Sequence, residues 1–510
     1  METALEGLLI KILIILFGTP FFTKEFYPRL QMLACSYLKI LFVEPPKEFW
    51  FVMGEYLPPP YGILQLASYV EAHNKNVEIS VLDCQAEKLD WSGFERRIES
   101  FQPDVVAPSA LATCDTYTVL RTLEVAKKVN PKIKTVVGGR HFSATAQESL
   151  EQYPEIDIVV RGEGEQTLSE LLRTLEEGRP LSEVEGVSFR HLEKTVHTPD
   201  RPLIENLDML PFPGYHFVEQ NMKNYHFTLM AGAKRYALVE ASRGCPHRCT
   251  FCSQWRFWRG TWRSKSPKRI VDEFEYCHKE FGTEFLWLTD DNFGLGSKAE
   301  KLCDEIIGKG IGEDIMWFLQ ARCDDIIENG KLLPRMRKAG NLWMLVGLES
   351  HSRETLDSFH KGIDPSRGKQ AMDLLKKNGI LAQATFIIGD RKDSHKTMQE
   401  FRNYVNDVDP DISIFMILTP FPGAELYETA RQRKWIEDDN WADYDMVHAI
   451  MPTEYMSREE VQEELYNCYR SFYGSYRRRI TGLFSPSSLK RRTYRYMAGQ
   501  GVLQVLRDLF

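Results

Sequence analysis

The sequence predicts an α/β protein: a doubly wound parallel sheet, then a second series of βα units, then a helical C-terminal region. Three observations predict it. Apolar runs of strand length recur at residues 39–44, 77–83, 105–110, 135–139 and 156–162, separated by helical periodicity such as residues 63–70, 117–129 and 165–177. A second set of apolar runs follows at 285–292, 316–322, 344–349, 383–389 and 413–420, with helical stretches between them. Past about residue 451 the pattern is helical throughout.

The chain has 510 residues, 64 Lys+Arg against 72 Asp+Glu, 43% hydrophobic and 27% charged residues. This is the composition of an ordinary globular protein, and it excludes collagenous, wholly disordered and membrane-spanning classes. The net charge of -8 offers no polyanion footprint, so nucleic acid is not an expected partner. Of the ten cysteines, seven are scattered and three fall within eight positions. That is no disulfide framework, and it points to a reducing, cytoplasmic compartment.

In chain order, residues 1–37 form an N-terminal extension. Its apolar run at residues 8–17 is too short to span a bilayer, and the acidic Glu2 and Glu6 argue against a signal peptide. Either translation starts at Met32, or the run is a peripheral anchor helix. Residues 38–200 form the first domain. Its first strand is stopped by Pro45-Pro46, and Pro58-Pro59-Pro60-Tyr61-Gly62 opens the next helix. Ligands of such sheets bind beyond the carboxyl ends of the strands. Those ends carry Ser109 and Thr113, then Gly138-Gly139-Arg140-His141, then Gly162-Glu163-Gly164-Glu165. Small residues, hydroxyls and bare amides there suit a large cofactor, although each glycine taken singly also reads as a tight turn.

Taken together, Pro103-Asp104-Val105-Val106, Gly138-Gly139-Arg140-His141-Phe142 and Val160-Arg161-Gly162-Glu163-Gly164-Glu165 resemble the cobalamin-binding domain that precedes many radical S-adenosylmethionine enzymes. The resemblance covers roughly residues 38–180 and implies cobalamin as the ligand of Ser109, Thr113, Gly138, Gly139, His141, Gly162, Glu163 and Gly164. The Asp-x-His-x-x-Gly motif whose histidine ligates cobalt is missing. Its nearest match, Asp393-x-His395, lacks the glycine and lies in the other half of the chain.

A linker at residues 201–230 leads to the second domain, residues 231–450. There Arg243-Gly244-Cys245-Pro246-His247-Arg248-Cys249-Thr250-Phe251-Cys252 follows a strand candidate at 237–240. Three soft ligands at C-x3-C-x2-C suit iron-sulfur chemistry. A closed zinc site needs a fourth ligand, and His247, inside the first gap, would strain a tetrahedral shell. The spacing is similar to the signature of the radical S-adenosylmethionine superfamily. That resemblance implies a partial (β/α) barrel and a [4Fe-4S] cluster on Cys245, Cys249 and Cys252. It also implies S-adenosylmethionine on the open iron, cleaved to a 5'-deoxyadenosyl radical, and a low-potential electron donor of ferredoxin or flavodoxin type. By family position, Phe251 lies by the adenine, and Thr289, Asp290, Arg322, Glu349 and Gly389 line the cosubstrate; sheet-end solvation is the plainer account of the charged ones.

Cys252-Ser253-Gln254-Trp255-Arg256-Phe257-Trp258-Arg259, Ser266-Pro267-Lys268-Arg269-Ile270-Val271-Asp272-Glu273 and Phe386-Ile387-Ile388-Gly389-Asp390 resemble the anaerobic magnesium-protoporphyrin monomethyl ester oxidative cyclase group. The implied activity is hydrogen abstraction from an unactivated carbon of an apolar substrate, either lipid-like or tetrapyrrole-like, with an oxidative outcome. Methyl transfer through cobalt is the enzymatic alternative, and a corrinoid or iron-sulfur electron carrier the non-enzymatic one. Finally, residues 451–510 carry the basic, aromatic runs Tyr476-Arg477-Arg478-Arg479 and Lys490-Arg491-Arg492-Thr493-Tyr494-Arg495-Tyr496. These read either as a solvated face or as a surface for an acidic lipid or carboxylate, which would make the protein membrane-associated.

Overall fold

The computed structural model describes residues 37–47, 56–110, 112–232 and 234–509. The apolar run of the N-terminal extension and Met32 lie outside the described residues. The first half contributes β1 (Leu38–Glu44), the short β2 (Tyr56–Leu57), β3 (Val77–Asp83), β4 (Val105–Pro108), β5 (Lys134–Val137), β6 (Ile158–Val160), β7 (Val187–His191) and β8 (Lys194–His197). All but β2 join one seven-stranded sheet of order β3-β1-β4-β5-β6-β7-β8. The strands β1 and β3 to β6 are parallel, and β4 is buried along its whole length, as strands covered on both faces must be.

The five strands expected to run parallel do so, and two further strands that the sequence does not announce extend the sheet. Strand β7 runs antiparallel to β6, and β8 antiparallel to β7. Their connection is a two-residue turn in which Leu192 (φ 47°) and Glu193 (φ 61°) are both left-handed, the backbone of a type I′ hairpin. Leu-Glu carries no Asn-Gly or Asp-Gly signal, which is why the hairpin is silent in the sequence.

The connecting segment 201–230 packs rather than dangles. Its strand β9 (His226–Phe227) pairs antiparallel with β2, and the fully buried Tyr215 donates its hydroxyl to the carbonyl of Leu238 at 2.6 Å and accepts the Leu238 amide at 2.8 Å. The second half then builds β10 (Tyr236–Val239), β11 (Ser242–Gly244), β12 (Trp262–Ser264), β13 (Phe285–Leu288), β14 (Met316–Arg322), β15 (Asn341–Glu349), β16 (Leu381–Ile388) and β17 (Ile412–Ile417). Six of these form a parallel sheet of order β10-β13-β14-β15-β16-β17, while β11 and β12 pair as a separate antiparallel hairpin. The sheet core holds Trp317 and Trp343, both fully buried. Each indole N–H is satisfied, by Ala339 O and by Gln383 Oε1, both at 2.7 Å, as burial of an indole requires.

The apolar core is continuous from Ile40 in β1 through Tyr215 and Tyr236 to Phe415 in β17, so the two halves pack as one body. The helix Arg458–Tyr473 covers the open edge at β17. There the hydroxyls of Tyr469 and Tyr473 donate to the carbonyls of Phe415 and Ser413 at 3.1 and 2.8 Å and accept the amides of the same residues, which blocks further strand addition. Two helices follow, Tyr476–Leu483 and Ser488–Leu509. The basic tail is not one solvated face: Arg478 is buried, stacks 3.8 Å over Phe472 and bonds Pro410 O and Asp409, while Lys490 pairs with Asp411 at 2.6 Å. Among the described residues, no helix is long and apolar enough to cross a membrane.

Candidate active site

The carboxyl ends of the two sheets face each other, and charged side chains join them. Arg243, two residues before Cys245, donates from Nη1 to Glu163 at 2.7 Å, from Nη2 to Glu165 at 2.6 Å and from Nε to both oxygens of Glu240 at 3.0 and 2.9 Å. The side chains of Arg243, Glu163 and Glu165 are each 5% exposed. Arg263 adds a second cation at 3.1 Å from Glu163, whose other oxygen accepts the Ile204 amide at 2.6 Å. Burial pushes the Glu165 carboxyl up, but Arg243 outweighs it and holds the group below its usual range. A second bridge runs from Arg140, after β5, to Asp291, after β13, at 3.5 Å. Asp291 also accepts the indole N–H of Trp258 at 2.8 Å.

The three cysteines occupy the loop that opens from β11. Gly244, immediately ahead of Cys245, has φ +88°, and a Cβ there would lie 2.2 Å from the carbonyl oxygen of Thr261, so the hairpin admits only glycine. Inside the loop, Cys252 N and Trp255 Nε1 both donate to Cys249 O, at 3.1 and 3.2 Å, and Phe251 meets Phe359 edge to face at 5.1 Å. The three indole N–H groups of the aromatic stretch are all used in folding, Trp262 donating to Asn292 O at 2.9 Å. Among the described residues, no three His, Cys, Asp or Glu side chains converge on a single ion position.

Around this loop stand the ends of the second sheet. Thr289 donates its amide to Val239 O at 3.0 Å. Asp290, fully buried, accepts the Ser242 hydroxyl and the Ala241 amide, and burial raises it to about 6, so it braces β11. Arg322 forms a fork onto Asp324 and donates to Lys361 O at 2.9 Å. Glu349 accepts from Lys361 Nζ at 2.6 Å and has φ +63°, where the β15 register slips past Gly347. A left-handed glutamate at a strand end is a held, costly conformation of the kind that clusters at functional sites. Gly389 donates its amide to Asp393 at 2.9 Å, and Asp390 does the same at 3.1 Å.

On the facing sheet, Ser109 continues the β4 ladder by donating to Val43 O at 2.7 Å, and Thr113 is buried in a 3₁₀ turn. Gly138 and Gly139 open the helix Gly139–Ala144, with Gly139 at φ +81° and within 3.0 Å of Ala110 O at its Cβ position. His141 is buried between Phe142 and Trp441, ring centroids 5.1 Å away in each case, and its Nδ1 has no partner. Burial lowers it to about 4, so the imidazole is neutral. The amide of Gly162 donates to Ser143 Oγ at 3.1 Å, and Gly164 opens the helix Gly164–Glu176 against Leu66. Glu163 is engaged by Arg243 and Arg263. His395 of the nearest Asp-x-His pair lies 3.2 and 3.1 Å from Glu460 and Glu464. Residue reasoning missed Arg243, Arg263 and Lys361 as site residues. Arg243 lies beside the cysteine motif, which is a signal for it, whereas nothing in the sequence joins Lys361 to Glu349.

Residues 53–172 match the B12 binding domain family, and residues 239–405 match the Radical SAM superfamily. The chain is 33% identical over 420 residues to the anaerobic magnesium-protoporphyrin IX monomethyl ester cyclase of Rubrivivax gelatinosus, covering 81% of this chain and 74% of that protein. The chain belongs to the cobalamin-dependent radical S-adenosylmethionine enzymes. It is also 33% identical over 440 residues to an uncharacterized methyltransferase of Pyrococcus horikoshii, covering 86% of this chain and 92% of that one. The fold is shared with two solved structures: the methyltransferase TsrM from Kitasatospora setae (TM-score 0.68, 16% identity, 86% and 88% coverage) and the radical enzyme OxsB (TM-score 0.70, 18% identity, 91% and 71% coverage).

This cobalamin-dependent radical S-adenosylmethionine enzyme therefore takes a [4Fe-4S] cluster, S-adenosylmethionine and cobalamin, and its residues fit them. Burial raises all three thiols, Cys252 to about 12, while Arg322 works against that rise at Cys245 and Arg322 and Lys361 do so at Cys249. A soft three-thiol set beside fixed cations suits an anionic iron-sulfur cluster. The unpartnered Nδ1 of His141, at the carboxyl end of β5, is a buried polar atom of the kind that a bound cofactor satisfies.

Proposed function

We propose that this enzyme removes a hydrogen atom from an unactivated carbon of an apolar substrate, lipid-like or tetrapyrrole-like, with an oxidative outcome of cyclase type. The observation that carries the reading is the meeting of the two sheet ends, with Arg243 joining the cysteine loop to the loop after β6. When bound, the cluster and S-adenosylmethionine supply a carbon-centred radical, and cobalamin supplies a second reactive centre. The chain's own residues orient and enclose. Residues 38–200 carry the corrin, with Ser109, Thr113, Gly138, Gly139, His141 and the loop from Gly162 lining it. Residues 231–450 carry the cluster on Cys245, Cys249 and Cys252. The Glu349 carboxylate, held by Lys361, binds the amino group of the cosubstrate, Arg322 and Thr289 face its ribose and carboxylate, and Phe251 and Gly389 flank the adenine. Such fixed contacts place the cosubstrate before any radical forms. Reduction comes from a low-potential donor of ferredoxin or flavodoxin type in a reducing, cytoplasmic compartment.

Methyl transfer is the second reading, favoured by the alignment with the Pyrococcus methyltransferase over 92% of its length. Turnover with S-adenosylmethionine deuterated in its methyl group separates the two. An unlabelled, oxidised product with 5'-deoxyadenosine is expected, a product carrying the label assigns methyl transfer, and turnover without 5'-deoxyadenosine overturns the hydrogen abstraction. Replacing all three cysteines by alanine should remove the roughly four irons of a reconstituted cluster.

A further inference from the structure

The helix Tyr476–Leu483 has two unlike faces. Arg478 and Gly482 point inward: Arg478 is 8% exposed over Phe472, and Gly482 is buried where Tyr494 of the last helix lies against it, within 2.2 Å of the Cβ position. Tyr494 in turn donates its hydroxyl to Asp411 O at 3.0 Å, which anchors the helix pair to the body of the protein. Tyr476, Ile480 and Phe484 are each offset by two residues from that inward pair. Two residues turn a helix by about 200°, so these three share the opposite face. They are 80%, 58% and 77% exposed. Three large apolar side chains in one i, i+4, i+8 row are not scattered surface residues, and such a row marks an interaction surface.

The charge around the row names the partner. Between Glu464 and Asp508 the sequence has no acidic residue and nine arginines or lysines, in a chain whose net charge is -8. Arg478 and Lys490 face inward to Asp409 and Asp411, but Arg477, Arg479 and Arg495 are exposed. An apolar row flanked by arginines, with Tyr476 at its start, has the make-up of a helix that lies in a bilayer interface. An aqueous protein partner of acidic character would account for the arginines but not for the isoleucine and phenylalanine beside them.

We propose that the helix Tyr476–Leu483 docks the enzyme on an anionic phospholipid surface, with Tyr476, Ile480 and Phe484 entering the headgroup boundary and Arg477, Arg479 and Arg495 against the phosphates. This goes beyond the reaction assigned above and does not depend on it. The test is co-sedimentation of the full chain with phosphatidylglycerol vesicles and with phosphatidylcholine vesicles. Binding to the first is expected to exceed binding to the second by at least tenfold and to weaken with salt. The triple variant Tyr476→Ser/Ile480→Ser/Phe484→Ser and the double variant Arg477→Glu/Arg495→Glu should each lower it at least tenfold with the melting midpoint unchanged, because the altered side chains are exposed. Equal binding to both lipids, or binding that survives both variants and so resides elsewhere in the chain, overturns the proposal. Self-association abolished by the triple variant, without vesicle binding, also overturns it and assigns the face to a second copy.

Discussion

Asp83, at the end of β3, has a side chain with no exposure, accepting the Tyr225 hydroxyl at 3.0 Å and the Ala86 amide at 2.9 Å. Burial, with Glu44 nearby, raises its carboxyl to about 7. A folded value above the unfolded one favours the neutral acid in the native state. The stability it contributes is therefore complete below about pH 4 and is lost as pH rises towards 7, on the order of 4 kcal/mol in all. Asp83→Asn, which has no charge to bury, is expected to flatten that part of the stability curve and to match or exceed the parent at pH 8. Urea titrations at several pH values measure this, and a parallel decline in both proteins would exclude Asp83 as its source.

At the scale of the element, the β11–β12 hairpin decides where the first cysteine sits. Gly244→Ala combines a positive φ with a Cβ 2.2 Å from a backbone carbonyl that cannot swing aside, since Thr261 leads directly into β12. The expected cost is about 2 kcal/mol or more, and it is paid by opening the hairpin. The variant should therefore take up far less iron on anaerobic reconstitution while the rest of the fold, read by circular dichroism, stays in place. Full iron content would show that the loop tolerates displacement. The same logic explains the helix Arg458–Tyr473, whose tyrosine hydroxyls satisfy the edge of β17 and so end the second sheet at six strands.

Across the whole molecule, Arg243 is the cation that three carboxylates share, two of them buried and from the opposite sheet. Removing one partner of such a network leaves uncompensated buried charge and costs about 3–5 kcal/mol. Arg243→Met is expected to lower the melting midpoint and to split calorimetric unfolding into two transitions, because the lost contacts are those between the sheets. A single transition at the parent midpoint would mean that the continuous apolar core alone couples the halves. The network also ties the loop after β6 to β11, since Glu163 and Glu165 hold Arg243, two residues before Cys245.

The strand and helix series, the cysteine triad and the glycine-rich strand ends are legible in the amino-acid order alone, because apolar periodicity and ligand spacing are local and survive without a fold. Strands 316–322 and 77–83 coincide with β14 and β3 residue for residue. The type I′ hairpin at Leu192-Glu193 was invisible because tertiary pairing, not turn propensity, imposes its backbone. Folding alone sets Glu163 against Arg243, Asp290 under β11, Lys361 on Glu349, and Arg478 inward where Ile480 faces out. Each of these is a pairing of charges or faces between residues distant in the chain, or a choice between inside and outside. Such choices depend on which elements come to lie opposite one another, and no local pattern encodes that.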